Sequence, residues 1–522
     1  MTKGYKVYRY NNTYHVQVCN ERVHPWGLGL EILAEVPRHP EDYASWLEAT
    51  RATLAAAVSD SQVPSSEELA SLPSFVTTDE PHNSLDVDWI FELDLDHEVF
   101  LIDSQPFFNL RSLPPPQTFL AAISTDNFGH RALHPHTPLQ YRYNWASPPG
   151  SNHRSTSSPT NARIQSHGQA DIADILNIPR TLQKAEDLTL SLFSTLVGCA
   201  MYDHDIGRLL RRLDLASDAT QITPVLSSLA FDLVNLCIST FNQVTSGSSM
   251  DGVPKRATLP MGWEQEGYWL RQDVFLKLAT HLDAEAWREA CIINMVNQVS
   301  SHTEKMGQRM STPFYVILFS LFHCVIIQIS QDDITGNFTY IYTPALPFLP
   351  SFYAQTTITP GIETLSRLGF WLNRTAPPHS VQGPRNTKPL VSSTVSKLPV
   401  EVWLHVADYL GNYEDLKKLE YLTPQSLSAS KRVLQYPRIG GYRITSTLSS
   451  SPPSNPLFTA SFLAVSDETS ESVKVEIGPV LCDIIVAPSP PSDSKDQQHT
   501  LDLTSHESPS FLWSASYQLT SP

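Results

Sequence analysis

An α+β multidomain fold is predicted for this chain, and three observations predict it. Strand-like alternation at residues 5–18 and 88–103 flanks one amphipathic helix, which marks a small antiparallel β plus helix domain at the start. From Ile172 to Ser300 apolar residues recur mostly at helical spacing, so the middle reads as mainly helical. Late in the chain a helical module at 397–437 precedes a β-rich segment at 440–487. With 522 residues there is room for roughly three or four cores.

Residues 5–18 read as a hairpin turning at Asn11-Asn12, because Asn tolerates the left-handed backbone of a two-residue turn. A helix over 41–58 starts behind Pro40 and points Tyr43, Trp46, Leu47, Leu54 and Val58 inward. The polar stretch from Ser59 to Ser84 reads as loop, and residues 88–103 as a second hairpin turning near Asp96-His97. The two hairpins are expected to pair in one antiparallel sheet under Trp46 and Leu47. Residues 1–145 form this acidic α+β domain; the first 150 residues hold 19 Asp and Glu against 9 Lys and Arg.

Residues 146–170 are rich in Pro, Ser and Asn and read as a disordered linker. The helical region, 171–373, shows apolar faces at Leu188/Leu192/Leu196, Val225/Leu229/Leu233/Leu236 and Trp269/Phe275/Leu278. Within it Phe314–Ile329 is the most apolar run. A bilayer span needs about 20 apolar residues, and this run is shorter and is interrupted by Ser320, His323 and Gln328. Its β-branched and aromatic content predicts buried strand, with Phe338–Tyr342 returning as hairpin partner. Residues 374–396 read as a second linker and 488–522 as a disordered tail.

The formal charge is −17 and no basic stripe occurs, which disfavours phosphate-led nucleic-acid binding and anionic membrane surfaces. Six cysteines are scattered without a Cys-x-x-Cys pair, as expected of reduced thiols in an intracellular chain, cytoplasmic or nuclear. Residues 1–10 lack the apolar core of a signal peptide.

Candidate chemistry is sparse. Gly27-Leu-Gly29 lacks the third glycine of a dinucleotide loop and reads as a turn into a short helix. Asp94, Asp96 and Glu98 alternate along a hairpin; they read as a solvated strand face, with a hard-cation site as the alternative. His130, His134 and His136 fall in a Pro-containing loop without a further ligand. Asp203-His204-Asp205 reads as a polar helix end or an acid–base cluster that lacks a nucleophile. No catalytic residue, metal site or cofactor is expected.

The module at 397–437 carries the clearest pattern. Leu398, Val402, Val406 and Leu410 recur every fourth residue and lie along one helical face, with Leu398 expected exposed at the helix entry and the Val402/Val406/Leu410 stripe expected to hold the helices together. Pro399 suits a first helical turn, where its missing N–H leaves nothing unpaired. Gly411 can end the helix, Asn412 can cap a second one, and Pro424 opens a third over Leu427–Leu434. Leu-Pro-x-Glu-Val, the spaced apolar residues, Tyr409-Leu410 and the downstream Asp415-Leu416 resemble the opening of an F-box. That resemblance implies a helical unit that docks onto a Skp-type adaptor of a cullin–RING ubiquitin ligase. Partner-binding candidates are Leu398, Pro399, Glu401, Trp403 and Leu410, with Trp403 standing exposed off the stripe.

A second resemblance covers about residues 1–440. Tyr5–Tyr10, Gly27–Pro37, Asp88–Asp96, Phe322–Ile326 and Thr343–Pro350 resemble blocks of a large set of uncharacterised fungal proteins, chiefly of mushroom-forming fungi. It implies an intracellular fungal protein and brings no activity with it. The expectation is therefore a non-enzymatic interaction protein, an adaptor whose residues 1–373 capture an unknown protein substrate. The alternatives are an enzyme of unrecognised type, with a pocket between the helical region and the 314–342 strands, or a fungal protein without a ligase role.

Overall fold

The computed structural model describes residues 3–59, 74–78, 81, 87–143, 164–212, 222–238, 267–271, 273–306, 312–332, 335–375, 398–410, 413–419, 422–439, 442–448, 457–466, 472–479, 485–486, 499–500 and 515–520. They fall into two units, one of residues 1–147 with 204–216, the other of residues 148–203 with 217–522. Helices and sheets are both present, as the α+β prediction requires.

The first unit is built on a six-stranded sheet. Its strands are β1 (Gly4–Tyr10), β2 (Thr13–Cys19), β3 (Ser74–Thr77), β4 (Trp89–Asp94), β5 (Val99–Ile102) and β6 (Gln105–Asn109), in spatial order β3-β2-β1-β4-β5-β6. Asn11 and Asn12 both take positive φ, 51° and 56°, the backbone that a tight hairpin turn demands. The β1–β2 and β4–β5 pairs are antiparallel, but β1 runs parallel to β4, with Gly4 opposite Trp89. The sheet is therefore mixed, not antiparallel throughout. A parallel pair needs a long crossover, and the chain between β2 and β4 supplies one through α1 (Leu30–Glu35) and α2 (Pro40–Ser59). Part of the stretch expected to be loop is β3, which pairs antiparallel with β2.

One face of this sheet packs Phe91, Leu93, Phe100 and Phe108 against Ile32, Leu33, Tyr43 and Leu47. Leu47 is buried and Trp46 only half-buried, so Leu47 is the better plug of the pair. The other face holds Val7, Val16 and Ile90.

The second unit contains a sheet ordered Tyr268–Arg271, Val274–Leu278, Phe314–Phe319, His323–Gln331, Phe338–Tyr342 and Ile164–Gln169. The apolar run at 314–329 is thus two strands, broken at Ser320–Phe322, where Leu321 takes φ 68°. Phe338–Tyr342 pairs antiparallel with His323–Gln331, as expected. Among the described residues no helix is long and apolar enough to cross a membrane.

Two expectations fail in this sheet. Trp269, Phe275 and Leu278 lie on strands, not on a helix; Val274–Leu278 runs parallel to Phe314–Phe319 and is buried along almost its whole length. A strand covered on both faces reads as a continuous apolar run, which periodicity alone does not separate from helix. Ile164–Gln169, expected in the linker, is an edge strand parallel to Phe338–Tyr342.

Helices Lys184–Tyr202, Pro224–Ile238 and Pro360–Thr375 belong to the same unit. A Cβ at Gly369 would stand 1.7 Å from the Cys237 carbonyl oxygen, so only glycine allows Pro360–Thr375 and Pro224–Ile238 to approach this closely.

The C-terminal segment forms a third large sheet through Tyr442–Thr447, Ala460–Ser466 and Ser472–Pro479. Ala515–Thr520, placed by the sequence in a disordered tail, pairs antiparallel with Ser472–Pro479. The linker residues 146–163 and 376–396 lie outside the described residues.

Candidate functional site: an apolar stripe on a three-helix module

Residues 400–434 contain helices Val400–Leu410, Tyr413–Leu419 and Pro424–Leu434. The backbone N–H groups of Val402 and Trp403 reach back to the Pro399 carbonyl at 3.2 and 3.4 Å and close the first turn. Thr423 caps the third helix. Its Oγ1 accepts from the Ser426 N–H at 3.0 Å, and the Ser426 hydroxyl accepts from the Thr423 N–H at 2.8 Å. Pro424 occupies the first helical position, where it costs no hydrogen bond.

Trp403, Ala407, Leu416, Leu419, Ala429, Val433 and Leu434 make the core, with Val400, Leu404 and Leu410 half-buried against it. Trp403 is 4% exposed, which corrects the expectation that it stands free. Val402 and Val406, expected inside, are 40% and 37% exposed. The helix carries two adjacent apolar strips, and the one with the larger payload turns inward: an indole buries roughly 150–250 Å². Ala407, one turn on, leaves room for the third helix to close over it. The indole N–H finds no acceptor among the described residues.

The outer strip is left uncovered. Leu398 is 37% exposed and Tyr409 86%, and with Val402 and Val406 they follow a 4-4-3 spacing along one face. Leu398, Pro399 and Glu401 of the expected partner set are exposed; Leu410 packs on the core and Trp403 lies within it. The sequence reading turned Val402 and Val406 inward and gave Tyr409 no place on the exposed face; the signal that could have corrected it is the competing i, i+4, i+7 strip of Trp403, Ala407 and Leu410. Asp408 on the flank pairs with Arg443 of the following sheet at 2.9 Å, which ties the first helix to that sheet.

The hairpin carboxylates do something different from what their alternation suggests. Asp94 is fully buried, not part of a solvated face. It accepts from the backbone N–H of Asp96 at 2.9 Å and of His97 at 3.0 Å, and pairs with Arg9 and with His97 Nδ1 at 2.8 Å. Burial alone would raise its pKa; the hydrogen bond from His97 and the Arg9 charge outweigh that and hold it at about 2. Asp96 accepts from the N–H groups of Asn11 and Asn12 at 2.9 and 3.2 Å, and so clips the first hairpin turn to the second. Glu98 receives Arg111 at 2.6 Å and the Tyr43 hydroxyl at 3.0 Å. All three acids are taken up by the protein itself.

The histidines do not converge. His130 is buried, with its backbone N–H donating to Asp126 at 3.0 Å and its ring stacked on His204, while the His134 and His136 rings meet at a tilt of 51°. No group of three metal-ligating side chains assembles among the described residues. Asp203 caps the end of Lys184–Tyr202, and His204 and Asp205 open His204–Arg212, so this trio is a polar helix boundary. Gly27-Leu-Gly29 is the last part of a helical turn, Pro25–Gly29, that runs into α1.

A cleft of about 390 Å³ opens in the second unit between Ile172–Leu176, the start of Pro360–Thr375 and the chain leaving Phe338–Tyr342. Asp171, Ile172, Thr343, Glu363, Thr364 and Arg367 line it. Among the described residues its walls hold no Cys, His, Ser or Lys, and the Thr343 hydroxyl already accepts from the Ile326 N–H at 3.0 Å. Comparison of the chain with family models, curated proteins and solved structures finds no match.

Proposed function

We propose that the module at 397–437 is an F-box-like docking unit, through which this chain recruits a Skp-type adaptor and cullin while residues 1–373 hold a protein substrate. The single observation that carries this reading is the uncovered stripe of Leu398, Val402, Val406 and Tyr409 on a helix whose other apolar face already serves its own core. A helix that needed only to fold would require one such face. Contiguous exposed apolar surface rimmed by polar residues, here Glu401, His405 and Asp408, is characteristic of protein–protein docking. Tyr409 has the large amphipathic ring that suits an interface anchor.

The adaptor role is non-enzymatic and intracellular, and it calls for no cofactor. An enzyme built around the cleft finds less support, because its carboxylates, Asp171 and Glu363, have no Ser, Cys, Lys or His beside them among the described lining residues to serve as nucleophile. Co-purification of an epitope-tagged full chain from a fungal host tests the proposal. Enrichment of a Skp-type adaptor with a cullin is the expected outcome, and recovery of the chain without either would remove it.

A further inference from the structure

The cleft has a charge arrangement that the adaptor reading does not use. Arg367, on the second turn of Pro360–Thr375, is 4% exposed and lines the cleft. Its two Nη groups donate to the carbonyls of Pro179 and Arg180, and its Nε finds no acceptor among the described residues. The carboxylate that pairs with it, Glu363, stands 3.9 Å away and is itself 40% exposed. A buried guanidinium held mainly by neutral carbonyls is only partly compensated, and an anion beside it would be strongly favoured. The first turn of a 16-residue helix lies at the same place and favours the same sign of charge.

The remaining walls carry the opposite sign and an apolar surface. Asp171 and Glu363 put two carboxylates on the lining. One Asp171 oxygen caps Ala173 at 2.8 Å. Ile172, Pro344 and Leu346 supply hydrocarbon. A simple anion would meet two acids, and a simple amine would meet a buried cation. A ligand carrying both charges on neighbouring atoms satisfies both.

We propose that this cleft binds a free α-amino acid with an apolar side chain, its carboxylate toward Arg367 and the first turn of Pro360–Thr375, its ammonium toward Asp171 and Glu363. The volume of about 390 Å³ accommodates such a molecule with space for water. The site goes beyond the adaptor reading and stands or falls separately, because no described residue of the module lines it.

Isothermal titration calorimetry of the full chain with L-leucine, 4-methylpentanoate and isopentylamine tests it, since the last two each lack one charge. Saturable binding of L-leucine at concentrations up to about 10 mM is expected, with at least tenfold weaker binding of either analogue. Glu363→Gln, at a half-exposed position, and Asp171→Asn, which keeps the helix cap, should each weaken L-leucine binding about tenfold at unchanged melting temperature. Arg367→Lys keeps a charge but loses the Nε–H that has no acceptor among the described residues, and should weaken binding at least tenfold. No saturable L-leucine signal, equal binding of either analogue, or unaltered binding in all three variants would overturn the assignment.

Discussion

Asp94, at the tip of the N-terminal hairpins, has no exposed surface, whereas Tyr409 of the helical module is 86% exposed. A charge sits inside one region and a large aromatic ring sits outside the other, and the two arrangements have different causes. Asp94 is kept inside by partners: two backbone N–H groups, an arginine and a histidine replace the water it gives up. Tyr409 has no comparable packing, because the inner strip of its helix already fills the space between the three helices. The first arrangement serves folding; the second leaves surface over for something else. Substitutions in the two regions should therefore separate stability from binding.

The largest stability effect is expected at Asp94. Asp94→Ala removes one side of a buried ion pair and orphans two backbone donors, so urea unfolding of the first unit should show a loss of about 3–5 kcal/mol. A loss under about 1 kcal/mol, the range of surface changes, would mean the hairpin tip is not held by this carboxylate. Next comes α2, where Leu47→Ala should cost about 2–4 kcal/mol and Trp46→Ala less, because Trp46 is half-buried. The reverse order would place the tryptophan, not the leucine, over the core.

Acid titration gives a third measure. The folded pKa of Asp94 lies near 2, below its ordinary value of 3.8. Its contribution is fully present above pH ~4 and is lost as pH falls toward ~2, an amplitude of about 2 kcal/mol. Asp94→Asn should flatten the stability profile in that window. An unchanged profile would contradict the network.

Much of this architecture was legible. The Asn11-Asn12 turn, the helix behind Pro40, the 323–342 hairpin and the start of the module at Pro399 all rest on local signals that tertiary contacts did not overturn. What escaped was decided by competition between neighbours. Val274–Leu278 is apolar except at Lys277 and buried at its other four positions, so its spacing does not reveal a strand. The parallel β1–β4 pairing depends on where a long crossover returns, which no short pattern encodes. At the candidate site the sequence disclosed the helix but not its rotation. Val402/Val406 and Trp403/Ala407 are both spaced for burial, and only packing against the third helix selects the second pair.

That selection leads to a small effect with a definite sign. Trp403→Phe removes an indole N–H that has no acceptor and keeps an aromatic ring in the core. The change in module stability should stay within about 1 kcal/mol, while Trp403→Ala should cost about 3–5 kcal/mol through the cavity it leaves. Equal, negligible effects of both substitutions would return Trp403 to the surface.

The most direct test uses Val402→Asp together with Val406→Asp in the tagged full chain, reading adaptor co-purification and thermal melting on the same preparation. Both side chains are partly exposed and lie off the core, so melting should shift little, by about the amount of ordinary surface substitutions. Adaptor recovery should fall to background. Adaptor bound as well by the variant as by the unaltered chain would contradict the assignment of this stripe as the docking face.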